Sequence, residues 1–362
     1  MSKLNTIPFF AYLAICLWTL MGILWNQHWK DLGFLNKLIS VPIFIILALG
    51  IHKNDFPKLI YSFLLGSFGL LLISVGKLTN HYLHFQTLKL DVGKEVNELL
   101  MGERPFLGFI YIVSICLCFY LITKSQNRAK RILLGVVCLI FASFILFISA
   151  RLSILTLVII LGISIFYAKN KLKLFGAVSI GIAGILVFAL TNPTFKSRLT
   201  AGFAQEDIKV QKVIAMEPRS HIWLSAYQIL QAEPLPILGY GYRTTIDKLV
   251  ENYTTKDGFL DEDHRQYFIQ SRFNTHNQYL NFLLSTGFIG LILFLLFMTT
   301  LLYKNSSTYP QIAIVLALAL FFFFENVLSR QLGAMLVGFV WIISLFLSCD
   351  TSIGNRKQDT QK

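Results

Sequence analysis

The chain has 362 residues, 55% hydrophobic and only 14% charged, with a mean hydropathy of +0.63. A soluble domain carries about a quarter charged residues, so these proportions exclude a water-soluble globular protein. The net charge of +13 calls for an explanation other than nucleic-acid binding, and its distribution along the chain supplies one.

Ten segments reach or approach the roughly 20 apolar residues that span a bilayer as a helix: 5–25, 34–51, 57–75, 105–123, 132–150, 152–168, 172–190, 278–302, 309–325 and 331–349. Lipid cannot satisfy free backbone groups, so helices are the expected form. The expectation is an all-α polytopic membrane protein of about ten transmembrane helices. Ile7 to Leu24 reads as a retained first helix, because no small-x-small site follows it and Trp25-Asn26-Gln27-His28-Trp29 does. Cys16, Cys116, Cys118, Cys138 and Cys349 all lie in apolar segments, where cysteine acts as a small hydrophobe. Neither a metal site nor a disulfide framework is expected from their spacing.

The connections set the orientation. Lys3, the segments 52–58, 124–131 and 169–173, Lys304 and the tail together hold fourteen basic residues against three acidic ones. Eleven of the thirteen excess charges therefore sit in alternating connections, which is the positive-inside pattern. Both termini are expected on the cytoplasmic side. The chain then divides into transmembrane helices one to seven (1–190), a large outer loop (191–277), helices eight to ten (278–349) and a cytoplasmic tail (350–362). Residues 192–274 carry ten basic and ten acidic residues, so this loop is neutral.

Residues 132–168 contain a single charge, Arg151, between two basic connections. An even number of crossings is required there, so a tight hairpin near Ser149-Ala150-Arg151-Leu152 puts Arg151 at the outer face. Two roles stand open for it: an arginine snorkelling to headgroups or a functional cation.

In the outer loop, residues 217–230 read as an amphipathic helix. Ile222, Trp223, Ala226, Ile229 and Leu230 share one face, and Pro218 suits the first turn. Arg219 then lies near the helix N-terminus, where anions are favoured; an ordinary solvated surface arginine is the alternative. Pro234 to Tyr242, with Gly239 and Gly241, forms a glycine-rich turn. Asp261, Glu262 and Asp263 read as a solvated loop face, and His221 and His264 lack metal-site spacing. His276 opens the eighth span, where a histidine serves either as a general base or as a capping or interfacial residue. Glu325 and Arg330 flank a short outer turn after the phenylalanine run 321–324. They are a functional pair at a membrane boundary or an ion pair tying two helices.

Taken in order, Ser149-Ala150-Arg151, Arg219-x-x-x-Trp223, Leu238-Gly239-x-Gly241, His276-Asn277-x-Tyr279-Leu280 and Gly287-Phe288-Ile289-Gly290-Leu291 resemble the O-antigen ligase and polymerase superfamily of bacterial membrane glycosyltransferases. The resemblance implies an inner-membrane enzyme with its large loop in the periplasm. Such an enzyme moves a glycan from an undecaprenyl-type polyprenyl pyrophosphate to an acceptor hydroxyl on a lipid A-core, a glycan or a protein. It implies inversion at the anomeric carbon, with neither metal nor cofactor. By the same resemblance His276, Arg219 and Arg151 are catalytic, with the two arginines on the pyrophosphate. Asn277, Tyr279, Gly239, Gly241, Glu325 and Arg330 join them as substrate-binding candidates. The chain departs from the family pattern in having Leu152 after the arginine and ten spans where many relatives have twelve. Ligase and polymerase share this donor chemistry, as in lipopolysaccharide or other cell-envelope polysaccharide biosynthesis. A transporter of lipid-linked sugars is the alternative from another class, but such folds show internal repeats and none is evident here.

Overall fold

Each of the ten apolar segments read from the sequence coincides with a helix in the structure, a computed structural model that describes residues 6–86, 97–168, 170–191, 218–255 and 262–359. The helices are α1 (Thr6–Asn26), α2 (Leu32–Ala48), α3 (Phe56–Phe85), α4 (Arg104–Lys124), α5 (Arg128–Phe147), α6 (Arg151–Tyr167) and α7 (Lys171–Thr191). Among the described residues of the large loop, three helices follow: α8 (Pro218–Ala232), α9 (Tyr242–Thr255) and α10 (Glu262–Ser271). The chain ends with α11 (Gln278–Lys304), α12 (Tyr309–Phe324) and α13 (Gln331–Asp359). No strand occurs among the described residues. Among the described residues, six helices are long and apolar enough to cross a membrane: α1, α2 with the short turn before it, α3, α4, α5 and α11. Arg151–Tyr167, Tyr309–Phe324 and Gln331–Leu347 are shorter apolar helices. The protein is an all-α polytopic membrane protein.

The chain forms two compact units that interleave in sequence. One comprises Met1–Gly50, Thr200–Lys304 and Ala319–Leu345; the other comprises Ile51–Leu199, Asn305–Leu318 and Phe346–Lys362. In the second unit α4 is the most enclosed helix, and its Ser114 hydroxyl donates to Ser67 of α3 at 2.9 Å. The expected hairpin lies between α5 and α6. Ser149 takes a left-handed conformation (φ 50°), and the Ala150 N–H donates to the Ile145 carbonyl at 3.2 Å. This six-to-one bond closes the end of α5 and starts α6 at Arg151.

In the first unit the large loop has a core of its own. Ile222, Ala226 and Ile229 of α8 pack with Leu249 and Tyr253 of α9, Phe268 of α10, Tyr240 and Leu284. The expected helix over 217–230 is thus present, with its apolar stripe buried. Helices α9 and α10 were not expected from the sequence. Glu262 and Asp263 belong to the first turn of α10, where carboxylates complement the helix dipole, and not to a loop; Asp261 lies outside the described residues.

The architecture of this unit turns on Gly287. There α11 is broken by a residue with φ 74° and ψ −175°, which leaves the carbonyls of the preceding turn without helical donors. Three donors from elsewhere reach them. The Tyr240 N–H donates to Leu284 O at 2.8 Å, the Gly241 N–H to Ser285 O at 3.0 Å and Trp18 Nε1 to Thr286 O at 2.7 Å. The approach demands glycine on both sides. A Cβ on Gly239 (φ 72°) would sit 2.5 Å from the Thr286 and Gly287 nitrogens, and one on Gly287 would run into the Ile237 carbonyl. On the far side of the same segment Asp31 accepts from the N–H groups of Tyr242 (2.7 Å) and Arg243 (2.9 Å), capping α9 from outside its own sequence neighbourhood.

Replacing Gly287 by Ala meets both a positive φ and backbone atoms, at a cost of about 1–3 kcal/mol or more. The expected outcome is a clear drop in membrane abundance and in melting temperature in detergent. Gly66→Ala in α3, where a Cβ meets nothing within 4 Å, is expected to leave both unchanged. Equal behaviour of the two variants would contradict the interlock.

Candidate functional site

Arg219 is held by the start of α8. Pro218 occupies the first position of that helix, and burial of Ile222, Ala226 and Ile229 fixes how it lies. Trp223, one turn on, donates from Nε1 to the Thr275 carbonyl at 3.0 Å, joining the helix to the segment that carries His276. The Arg219 guanidinium donates from Nη2 to Glu325 Oε1 at 2.7 Å and from Nε to the Phe324 carbonyl at 3.2 Å.

His276 reaches the same carboxylate from the other side, with Nδ1 3.1 Å from Glu325 Oε2. Its backbone is left-handed (φ 42°), and its N–H donates to Asn274 Oδ1 at 3.0 Å. The neighbours are fixed by amides. Asn326 Oδ1 accepts from the Thr275 hydroxyl (3.1 Å) and from the Asn277 N–H (3.0 Å). Asn277 Oδ1 accepts from the Leu280 N–H at 3.0 Å, a standard N-cap of α11. Gln278 Oε1 accepts from the Leu328 N–H at 2.8 Å, so the turn 325–330 and the start of α11 form one hydrogen-bonded unit.

Glu325 is the hub. Its side chain is 9% exposed, against 30% for Arg219 and 23% for His276. Burial alone would raise its pKa. The hydrogen bond and charge of His276, with the charge and hydrogen bond of Arg219, outweigh that and hold it below the usual glutamate value. Glu325 is therefore ionised near neutral pH and only accepts hydrogen bonds. In the neutral form of the ring, His276 Nδ1 then carries the proton, and the Nε2 lone pair is the basic site of a ring oriented by a carboxylate.

Arg219, His276 and Glu325 thus meet at one centre. Asn277 works here as a helix cap, and Tyr279 donates its hydroxyl to the Ala319 carbonyl at 3.2 Å while its ring packs against Phe294. Gly239 and Gly241 serve the close approach to the break in α11. Arg330 immediately precedes α13, its carbonyl accepting from the Ala334 N–H at 3.0 Å. Arg151 belongs to the other compact unit, exposed at the first position of α6.

Residues 137–295 match the family model described as O-antigen ligase. The match supports assignment to the O-antigen ligase superfamily. It includes the hairpin at Arg151, the α8 arginine, His276 and the Gly287 break, whereas Glu325 and the turn after it lie beyond the O-antigen ligase match. No curated protein matches the chain.

Sequence reasoning missed Thr275, Gln278, Asn281 and Asn326, which build the polar frame under His276. A signal was present: three buried amides, Asn277, Gln278 and Asn281, open a helix that is otherwise apolar.

The depressed pKa of Glu325 carries a sign. Its ionised form stabilises the fold above the usual glutamate range, and that contribution is lost as pH falls through the lower folded value. Melting of the full chain across acidic pH is expected to show this loss in wild type and a flatter profile in Glu325→Gln. Removing the carboxylate altogether (Glu325→Ala) is expected to cost about 2 kcal/mol, below the ~3–5 of a fully buried pair because Arg219 is partly exposed. Identical pH profiles for wild type and Glu325→Gln would remove the carboxylate from its central place.

Proposed function

We propose that the protein is a membrane glycosyltransferase that moves a polyprenyl-pyrophosphate-linked glycan onto an acceptor hydroxyl at the outer face of a bacterial inner membrane, as an O-antigen ligase. The observation that carries this is the Arg219–Glu325–His276 centre, in a membrane protein whose residues 137–295 match the O-antigen ligase family.

The geometry supports the following chemistry. The acceptor hydroxyl is presented to His276 Nε2, which takes its proton as the oxygen attacks the anomeric carbon. The new C–O bond forms as the bond from that carbon to the pyrophosphate oxygen breaks, and attack from the opposite side inverts the centre. Proton transfer to the ring adds one positive charge to the centre as negative charge grows on the leaving polyprenyl pyrophosphate. Glu325 stabilises the imidazolium so formed and fixes the productive tautomer, the role of the carboxylate in other carboxylate–histidine pairs. Arg219 suits the pyrophosphate, since a guanidinium stays charged and matches phosphate oxygens in pairs. Arg151, at the first position of its own helix, is proposed as a further phosphate ligand. The proposed arrangement has ten crossings, cytoplasmic termini and a periplasmic large loop, following the charge distribution of the connections.

The test is the surface-glycan ladder of cells lacking the protein, restored with wild type, His276→Ala, Arg219→Ala or Glu325→Gln at matched membrane abundance. A ligase null leaves bare core while long polyprenyl-linked chains accumulate. Loss of the general base is expected to lower transfer by about 10²–10⁴-fold, with Glu325→Gln intermediate. A null that leaves core plus one repeat unit would identify a polymerase instead. Full restoration by His276→Ala would remove the catalytic assignment.

A further inference from the structure

One end of the second compact unit holds a cavity that the Arg219–Glu325–His276 centre does not use. There α3 begins, α4 ends and α5 begins. The three helix ends enclose about 360 Å³, within the ~300–1,000 Å³ of small-ligand pockets. Two lysines stand in its lining, each held over a tyrosine ring at a cation–π distance. Lys130 Nζ of α5 lies 5.2 Å from the ring centroid of Tyr61 of α3, and Lys124 Nζ at the end of α4 lies 5.8 Å from that of Tyr120. Leu121 and Pro57 supply an apolar wall.

Local structure fixes these groups. The Lys130 N–H donates to Asn127 Oδ1 at 3.2 Å, an N-cap that sets the first turn of α5. Tyr120 packs edge-on against buried Phe56, with ring centroids 6.2 Å apart. The positive-inside bias alone asks only for basic residues near the ends of spans, and tyrosines are common at that level. Arg128 and Arg131 of the same connection meet that demand without lining the cavity. The bias does not explain two lysines set over two tyrosines around one cavity. No carboxylate is among the described residues that line it, and Asp55, before α3, is paired with Lys58 at 2.8 Å. An anion entering therefore meets ammonium donors, which suit phosphate oxygens. One turn deeper on the same helix faces, Leu65 after Tyr61 and Leu133 after Lys130 are exposed. A polar pocket that continues into an exposed apolar strip fits an amphiphile better than a soluble anion.

We propose that this cavity binds the headgroup of an acidic phospholipid, with Lys124 and Lys130 on its phosphate, Tyr61 and Tyr120 beside it and the acyl chains along Leu65 and Leu133. Basic pockets between spanning helices on the cytoplasmic side are suited to such headgroups, and the orientation proposed above puts this end at the cytoplasmic leaflet. The site does not rest on the proposed function.

The test is native mass spectrometry of the full chain in detergent, titrated with phosphatidylglycerol and, separately, with phosphatidylcholine. Wild type is expected to bind one phosphatidylglycerol about tenfold or more tighter than phosphatidylcholine. The double variant Lys124→Gln, Lys130→Gln is expected to lose that preference, and Lys124→Arg, Lys130→Arg to keep it. Arg128→Gln, Arg131→Gln removes the same charge from the same connection but from outside the cavity, and is expected to keep it too. An equal preference in wild type and in the glutamine variant at 124 and 130 overturns the site. So does an equal loss in the variant at 128 and 131, which reduces the effect to net charge. Displacement of bound phosphatidylglycerol by inorganic phosphate overturns the lipid as occupant and leaves a site for a soluble anion.

Discussion

A helix that breaks within an apolar segment must find donors for the carbonyls it frees, because lipid offers none. In this protein that demand falls on Leu284, Ser285 and Thr286, and it is met by the Tyr240 and Gly241 N–H groups and the Trp18 indole. The consequences spread from there. The Gly239–Gly241 segment is pinned against α11, so α9 must begin at Tyr242, where Asp31 caps it. The core that α8 shares with α9 and α10 is then set on Leu284, and α8 in turn carries Arg219. One unsatisfied helical turn thereby determines where a catalytic candidate lies dozens of residues away.

The centre itself depends on balance. Burial alone would raise the pKa of Glu325; its two partners outweigh that, and each uses the carboxylate differently. For Arg219 it is an anchor that holds a long side chain in one rotamer. For His276 it decides which nitrogen holds the proton. The frame of Thr275, Asn277, Gln278 and Asn326 limits the freedom of both backbones. Preorganisation of this kind is what makes electrostatic stabilisation effective during charge transfer.

Much of this was legible in the sequence because it is local. Apolar runs gave ten helices, the stripe from Ile222 to Leu230 gave α8, and the lone Arg151 between two basic connections gave the hairpin. The pattern of glycines, Arg219 and His276 also pointed to the family that the match over 137–295 supports. What escaped is what depends on distant partners. Glu325 meets Arg219 across 106 positions and His276 across 49, and no periodicity links them. Its pairing with those residues, where the sequence suggested a pair with Arg330, depends on the tertiary course of the turn 325–330. Gly287 could be noted as a glycine but not as a helix break, since its acceptors are answered by Trp18, 268 positions away. Helix α9 hides its stripe of Ile246, Leu249 and Tyr253 in a polar sequence beside a glycine-rich turn.

The central claim is that ionised Glu325 fixes the His276 tautomer. It is tested most directly by ¹⁵N NMR of the full chain labelled at histidine, with the His276 signals assigned by comparison with His276→Gln. For the neutral His276 ring the account predicts a protonated Nδ1 and an unprotonated Nε2, with Glu325→Gln disturbing that preference. A His276 ring protonated at Nε2 and bare at Nδ1 in the wild type would contradict it.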